Sequence, residues 1–505
     1  MKRLLILLMP LILLTACQNT LFPPIAAQQD DSSPQPISAT PVSTQASDGI
    51  GDVYYPQLGN GGYDTLHYLI DLTVDMANDT IDGNVTIEAQ ATTDLASFNL
   101  DFEGFTITDI TVNNEPASYQ RNEPELIITP ANPLDEGDAF TVEVVYNGEP
   151  RPIMPEAISI LNGWNRYDDG VYVMNEPEGA AAIYPNNNHP LDKATHTFRI
   201  TVPKPYVVAA NGQLQDTIDN GSSTTYVWEA SNLMASYLMT LGITDYVVQT
   251  ETGPNELPIR NYFPREIAEE SKDAFARTNE MLTFFNEIFG PYPFEAYGVV
   301  VADTDLSFAL ETQTISLFGR NAATTDPEHV EPVVAHELAH QWFGNSVSLK
   351  QWQDIWLNEG FATYASWLWL EHTEDSEALA NTVRRTYDSL EENHSTLPPP
   401  GNPPSNNLFN ANVYQRGALT LHALRLHVGD EAFFNILRAY TEQYQYSNAS
   451  TDDFIAVAEE VSAQELDDLF EAWLYVQPLP DIIIEKTTYL PLVHTTKPTA
   501  FNHKP

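Results

Sequence analysis

In the run VVAHELAHQW, residues 333–342, two histidines stand four apart with a glutamate directly after the first. Four residues of α-helix advance about 400°, so His336 and His340 lie roughly 40° apart on one face and can close on a single ion. Glu337 lies about 100° round from His336, beside such an ion without being forced to coordinate it. That is the place for a general base. A catalytic zinc site needs a third protein ligand and an open fourth position. Eighteen residues separate His340 from Glu359, which stands in DIWLNEGFATYASWLWL among Trp356, Leu357, Phe361 and Ala362. Burying a glutamate there unpaired is costly, and a metal removes the cost. Two histidines and one glutamate suit catalytic zinc better than a structural site, which favours cysteines. The same H-E-x-x-H spacing also arises by chance in ordinary buried helices, and the stretch alone leaves that alternative open.

These side chains need helices to carry them, and the chain supplies helical spacing only in its second half. Residues 265–289 have that spacing and end at Gly290-Pro291; strand candidates follow at Tyr297–Ala302 and Leu310–Phe318, and helices then dominate to about Tyr475. Before this, Leu66, Tyr68, Ile70, Leu72, Val74 and Met76 alternate with mostly polar neighbours, the period of a half-buried strand. Similar short runs, divided by Asn147-Gly148 and Asn211-Gly212, extend to about residue 250. The expected fold class is α+β: an all-β domain over 59–250, then an α-rich catalytic domain over 251–478 and an irregular tail over 479–505.

Lys and Arg number 22 against 70 Asp and Glu, a net charge of −48. That excludes a basic nucleic-acid-binding surface. It suits either a solubility adaptation or an acidic field that draws in cationic ligands. The opening MKRLLILLMPLILLTAC has a charged start and an eleven-residue apolar stretch, Leu4–Leu14, the pattern of a secretory signal. Leu14-Thr15-Ala16-Cys17 resembles a bacterial lipobox, and Cys17 is the only cysteine of 505 residues. The expectation is a signal over 1–17, a lipid anchor on Cys17 at the outer face of a bacterial membrane, and a Pro/Ser/Gln-rich flexible tether over 18–58.

HELAH, eighteen intervening residues and NEG together resemble the gluzincin metallopeptidases. The flanks HELAHQWFGN and WLNEGFA are similar to the aminopeptidase N and leukotriene hydrolase family, and the likeness runs from about Tyr63 to about Leu479. The resemblance implies a saddle-like N-terminal β-sheet domain and a thermolysin-like catalytic domain. It also implies one zinc ion on His336, His340 and Glu359, with Glu337 as base. The family's G-x-M-E-N strand matches Phe308-Ala309-Leu310-Glu311-Thr312, which puts Ala309 beside the substrate and Glu311 on its free amine. Glu176 in NEPEG matches a second amine-binding position, and VYQRG selects Tyr414 as the residue that stabilises the transition state. Where many relatives carry an acidic residue seven positions after the ligand glutamate, this chain has Ser366; Asp354 is a candidate substitute. The implied partners are peptides with a free amino terminus. A thermolysin-type endopeptidase and a non-catalytic binding module on a peptidase scaffold are the alternatives. About thirty residues follow the catalytic region, so the large helical domain of bigger relatives is expected to be absent and the site more open.

Overall fold

The computed structural model describes residues 44–45, 47–393 and 396–481. The signal-like start, Cys17, most of the tether and most of the tail lie outside the described residues. No helix among the described residues is long and apolar enough to cross a membrane.

The β domain is built on an eight-stranded sheet. Its strands lie in the order Gln213–Asp219, Ser223–Ala235, Lys193–Pro203, Tyr63–Asp75, Thr80–Ala91, Ala139–Gly148, Thr106–Val112 and Glu115–Pro116. Neighbours are antiparallel except Lys193–Pro203 on Tyr63–Asp75, which is parallel. The alternation expected for the first long strand holds at Tyr68, Ile70, Leu72 and Val74, all buried. It fails at Leu66, which is exposed, because the ladder shifts register between Thr65 and His67 and turns Thr65 inward instead. A bulge of this kind moves one residue to the other face, and hydropathy alone does not reveal it.

Three boundaries differ from the sequence reading. Residues 47–58, expected in the tether, pack on the folded body: Asp52 accepts from Trp352 N at 2.8 Å and pairs with His189 at 3.1 Å. Tyr246–Thr252, expected to end the β domain, opens the catalytic sheet, followed by Pro258–Pro264, Tyr297–Ala302 and Ser316–Gly319. The expected helix 265–289 is two helices, Ala268–Ala274 and Thr278–Phe289.

Helices Pro327–Ala339 and Trp356–Thr373 carry His336, Glu337 and Glu359, and Gly417–Val428 continues the turn Asn412–Arg416 that carries Tyr414. The last two touch through glycines: a Cβ on Gly360 would lie 3.0 Å from the Gly417 backbone. That contact needs two residues without side chains. It brings the segment before Gly417 against the segment after Glu359. Trp356 and Phe361 meet Phe454 edge to face, so a wall of aromatic rings backs the Glu359 helix. The buried core runs unbroken through both domains.

Candidate active site

The helix Pro327–Ala339 starts with Pro327 in its first turn and Asp326 as its cap. His336 and His340 fall on its last turn, as the spacing predicts. Their Nε2 atoms point at each other across 3.1 Å. Glu359 Oε2 lies 3.2 Å from His336 Nε2 and 3.5 Å from His340 Nε2. Three ligand atoms of the right kinds thus converge on one point from two helices. His340 turns its other nitrogen, Nδ1, to the Phe343 carbonyl at 3.0 Å, which fixes the ring and leaves Nε2 for an ion. A zinc ion fits this donor set, and no cysteine enters it. Ser366 donates to the Thr363 carbonyl, and Asp354 accepts from Thr451, so Asp354 is engaged away from the triad.

The triad opens into a cavity of about 250 Å³. Four glutamates line it (Glu176, Glu311, Glu337 and Glu359), and no Lys or Arg does. Burial first, then the neighbouring carboxylates, pushes Glu176 and Glu337 well above the usual carboxylate range, although His340 opposes the rise at Glu337. Burial raises Glu311 too, against the pull of His340. Glu359 goes the other way: burial would raise it, but His340 and His336 outweigh that and hold it at about 2. Burial would lower His340; the field of Glu311 and Glu359 overrides it and raises the ring to about 10. A cavity this negative demands positive charge. A divalent cation at the triad and an ammonium group at the free carboxylates answer it. Glu176 Oε1 and Glu311 Oε1 are buried with no hydrogen-bond partner, so two acceptors stand open there.

The fold explains how Glu311 arrives. The strand expected over 310–318 is shorter, Ser316–Gly319, because the chain doubles back and Leu310 pairs with Leu317. Thr314, at the turn, has φ +68°, a region a β-branched residue seldom enters. Gln341 and Asn345, just beyond His340, hold this turn. Gln341 accepts from Thr314 N at 2.8 Å and donates to the Glu311 carbonyl at 3.0 Å; Asn345 donates to the same carbonyl at 2.7 Å. The Glu311 segment is therefore fastened to the stretch that directly follows the histidine helix. Phe308 and Ala309 line the same cavity.

Tyr414 sits on a wide helical turn, Asn412–Arg416, and its ring stacks on His336 at 6.1 Å. Burial, and then Glu359, pushes its hydroxyl well above its ordinary value, so it stays protonated and able to donate. Arg416 holds that turn: its guanidinium, buried, donates to the carbonyls of Trp473, Gln477, Ala472 and Val476. The structure therefore brings His336, Glu337, His340, Glu359, Glu176, Ala309, Glu311 and Tyr414 around one cavity. Cys17 lies outside the described residues. The sequence reading missed Gln341, Asn345 and Arg416 as positioning residues. The signal for all three was a polar side chain inside one of the two motifs, HELAHQWFGN and VYQRG.

Two family models match the chain: the peptidase M1 N-terminal domain over residues 64–238 and the peptidase family M1 domain over 274–473. The solved M1 zinc metallopeptidase of Deinococcus radiodurans is similar, with TM-score 0.78, 30% identity, and coverage of 86% of this chain and 98% of that one. A variant of it bound to Tyr-Ser-Ala aligns at TM-score 0.79 and 29% identity, with coverage of 86% and 99%. Aminopeptidase M1 of Arabidopsis thaliana is 28% identical over 450 residues, which is 80% of this chain and 49% of that protein. Human glutamyl aminopeptidase is 28% identical over 317 residues, 59% of this chain and 33% of that one. The chain spans about half, or less, of the length of these curated relatives.

Proposed function

The chain belongs to the M1 peptidase family, and on that premise we propose that it is a zinc-dependent aminopeptidase that releases N-terminal residues from peptides. The observation that carries this reading is the pair of open buried carboxylates, Glu176 and Glu311, beside the His336–His340–Glu359 triad. An ammonium group neutralises those carboxylates, and docking it there sets the first peptide bond at the triad. A thermolysin-type endopeptidase has no use for such a pair.

His336, His340 and Glu359 would hold the zinc ion, which when bound supplies Lewis-acid polarisation and acidifies water. Glu337 takes the proton of the attacking water and hands it to the leaving amine. The Tyr414 hydroxyl donates to the oxygen that gathers negative charge. Besides its carboxylates and imidazoles, the cavity is lined by the apolar side chains of Ile158, Ile160, Met174, Phe308 and Phe409. This favours a large apolar or aromatic first residue, in line with a relative bound to Tyr-Ser-Ala. Phe308, at a position that is glycine in the family strand, narrows the approach of the substrate backbone.

The test is release of the first residue from a peptide with a free amino end. The activity is expected to vanish on chelation and return with zinc. Zinc-independent release would overturn the reading. We further propose, from residues 1–17 alone, that the protein is exported and lipid-anchored through Cys17 at the outer face of a bacterial membrane. Fatty-acid labelling that persists in Cys17→Ser would contradict the anchor.

A further inference from the structure

The two open carboxylates of the cavity come from different domains. Glu176 follows the β-domain strand Gly170–Met174, whereas Glu311 belongs to the catalytic domain. One oxygen of each, together with one of Glu359, lies within 4.8 Å of the others. An ammonium group that bonds two carboxylates at about 2.8 Å each cannot bridge oxygens more than about 5.6 Å apart. Docking an amine between them therefore tolerates a displacement of one domain against the other of only about 1 Å.

Lys193 stands at that boundary. It opens the β-domain strand Lys193–Pro203 and is 7% exposed. Its Nζ donates to three carbonyls of the catalytic domain: Asn345 at 3.1 Å, Ser346 at 3.0 Å and Ser447 at 3.2 Å. Burial alone shifts its pKa, down to about 7, so no carboxylate answers its charge. The carbonyls do, and only the protonated amine has a hydrogen for each of them. A buried lysine without a carboxylate is costly, and this one is spent on the turn after His340, where Asn345 N donates to the His340 carbonyl at 3.1 Å. Asn345 accepts from Lys193 through its backbone and donates through its side chain to the Glu311 carbonyl at 2.7 Å. On the β-domain side, Asn188 donates to the Glu178 carbonyl at 2.8 Å, which ties the approach to Lys193 back to the segment carrying Glu176. A path of hydrogen bonds thus runs from Glu311 through Asn345 and Lys193 to the Glu176 segment. We propose that Lys193 is a positioning residue for the amine-docking pair, fixing the separation of Glu176 and Glu311 across the domain boundary. This rests on the aminopeptidase reading. A neighbouring contact, from Asn211 to the Gln313 carbonyl at 2.7 Å, holds the turn beyond Glu311; Lys193 acts on the residue that grips Glu311 itself.

The test uses the full chain with zinc in place and a peptide with a free amino end. Lys193→Met keeps an apolar stem and removes the three donors. It is expected to raise KM about tenfold while kcat changes less than about threefold, with one zinc per chain still found by metal analysis. Glu176→Gln is the reference. With one member of the pair gone there is nothing left to align, so adding Lys193→Met to Glu176→Gln is expected to raise KM by no more than about twofold. If Lys193→Met does not fold, Asn345→Ala breaks the same path one link later and is expected to give the same rise in KM and the same dependence on Glu176. An unchanged KM with a lowered kcat and melting temperature would make Lys193 a packing residue only and overturn the proposal. A full tenfold rise on top of Glu176→Gln would overturn it too. If Glu176→Gln and Glu311→Gln themselves leave KM unchanged, the amine-docking reading falls and this proposal with it.

Discussion

Glu337 and Glu359 share one cavity, yet their surroundings assign them different work. Glu359 is held ionised by the two imidazoles, and Glu337 stands one residue from a ligand without joining the triad. Glu337→Gln is therefore expected to lower kcat by about 10²–10⁴-fold while metal analysis still finds one zinc per chain. Loss of zinc in this variant would make Glu337 a ligand rather than a base. Tyr414→Phe is expected to cost about 10²–10³-fold in kcat with little change in KM; a change confined to KM would remove it from transition-state stabilisation. Glu311→Gln, by contrast, is expected to act mainly on KM for free-amine peptides.

At the scale of elements, the site depends on how three segments are held. The stretch just after the histidine helix carries the Glu311 turn through Gln341 and Asn345, the Gly360–Gly417 contact seats the Tyr414 segment beside Glu359, and Arg416 fastens that segment to the C-terminal stretch. Arg416→Met is expected to lower both melting temperature and kcat, because it strips donors from four carbonyls, that of Trp473 buried and those of Ala472, Val476 and Gln477 partly so. A carbonyl orphaned in a buried setting, such as that of Trp473, costs roughly 1–3 kcal/mol. An unchanged kcat would show that the turn holds Tyr414 without it. The convergence of His336, Glu337, His340 and Glu359 was legible because metal chemistry fixes such a spacing along two helices. The turn at Thr314 and the exposure of Leu66 were not, since a bulge and a left-handed residue depend on partners distant in sequence. The packing of residues 47–58 was hidden for the same reason: Asp52 is one acidic residue among many until His189 and Trp352 meet it.

Across the whole molecule, charge is the dominant property. A net charge of −48 sets up a field that attracts cationic groups, and salt screens that attraction beyond about 8–10 Å. Raising the ionic strength is thus expected to lower kcat/KM for cationic peptides more than for acidic ones. Glu125 sets a second, pH-linked expectation. Burial, and then Asp48, raises it from its ordinary 4.5 to about 7; the neighbouring groups are Asp48, Asp101, Asn60, Asn99 and Tyr63. A folded pKa above the unfolded one contributes stability in full below about 4.5 and loses it as pH rises through about 7. The melting temperature should carry a downward contribution across that window, absent in Glu125→Gln. The central claim, that Glu176 and Glu311 make an exopeptidase by docking the amine, is tested most directly with one peptide offered both with a free amino end and N-acetylated. The account predicts release of the first residue from the free peptide, abolished by a zinc chelator, and no cleavage of the acetylated one. Equal internal cleavage of both would contradict it.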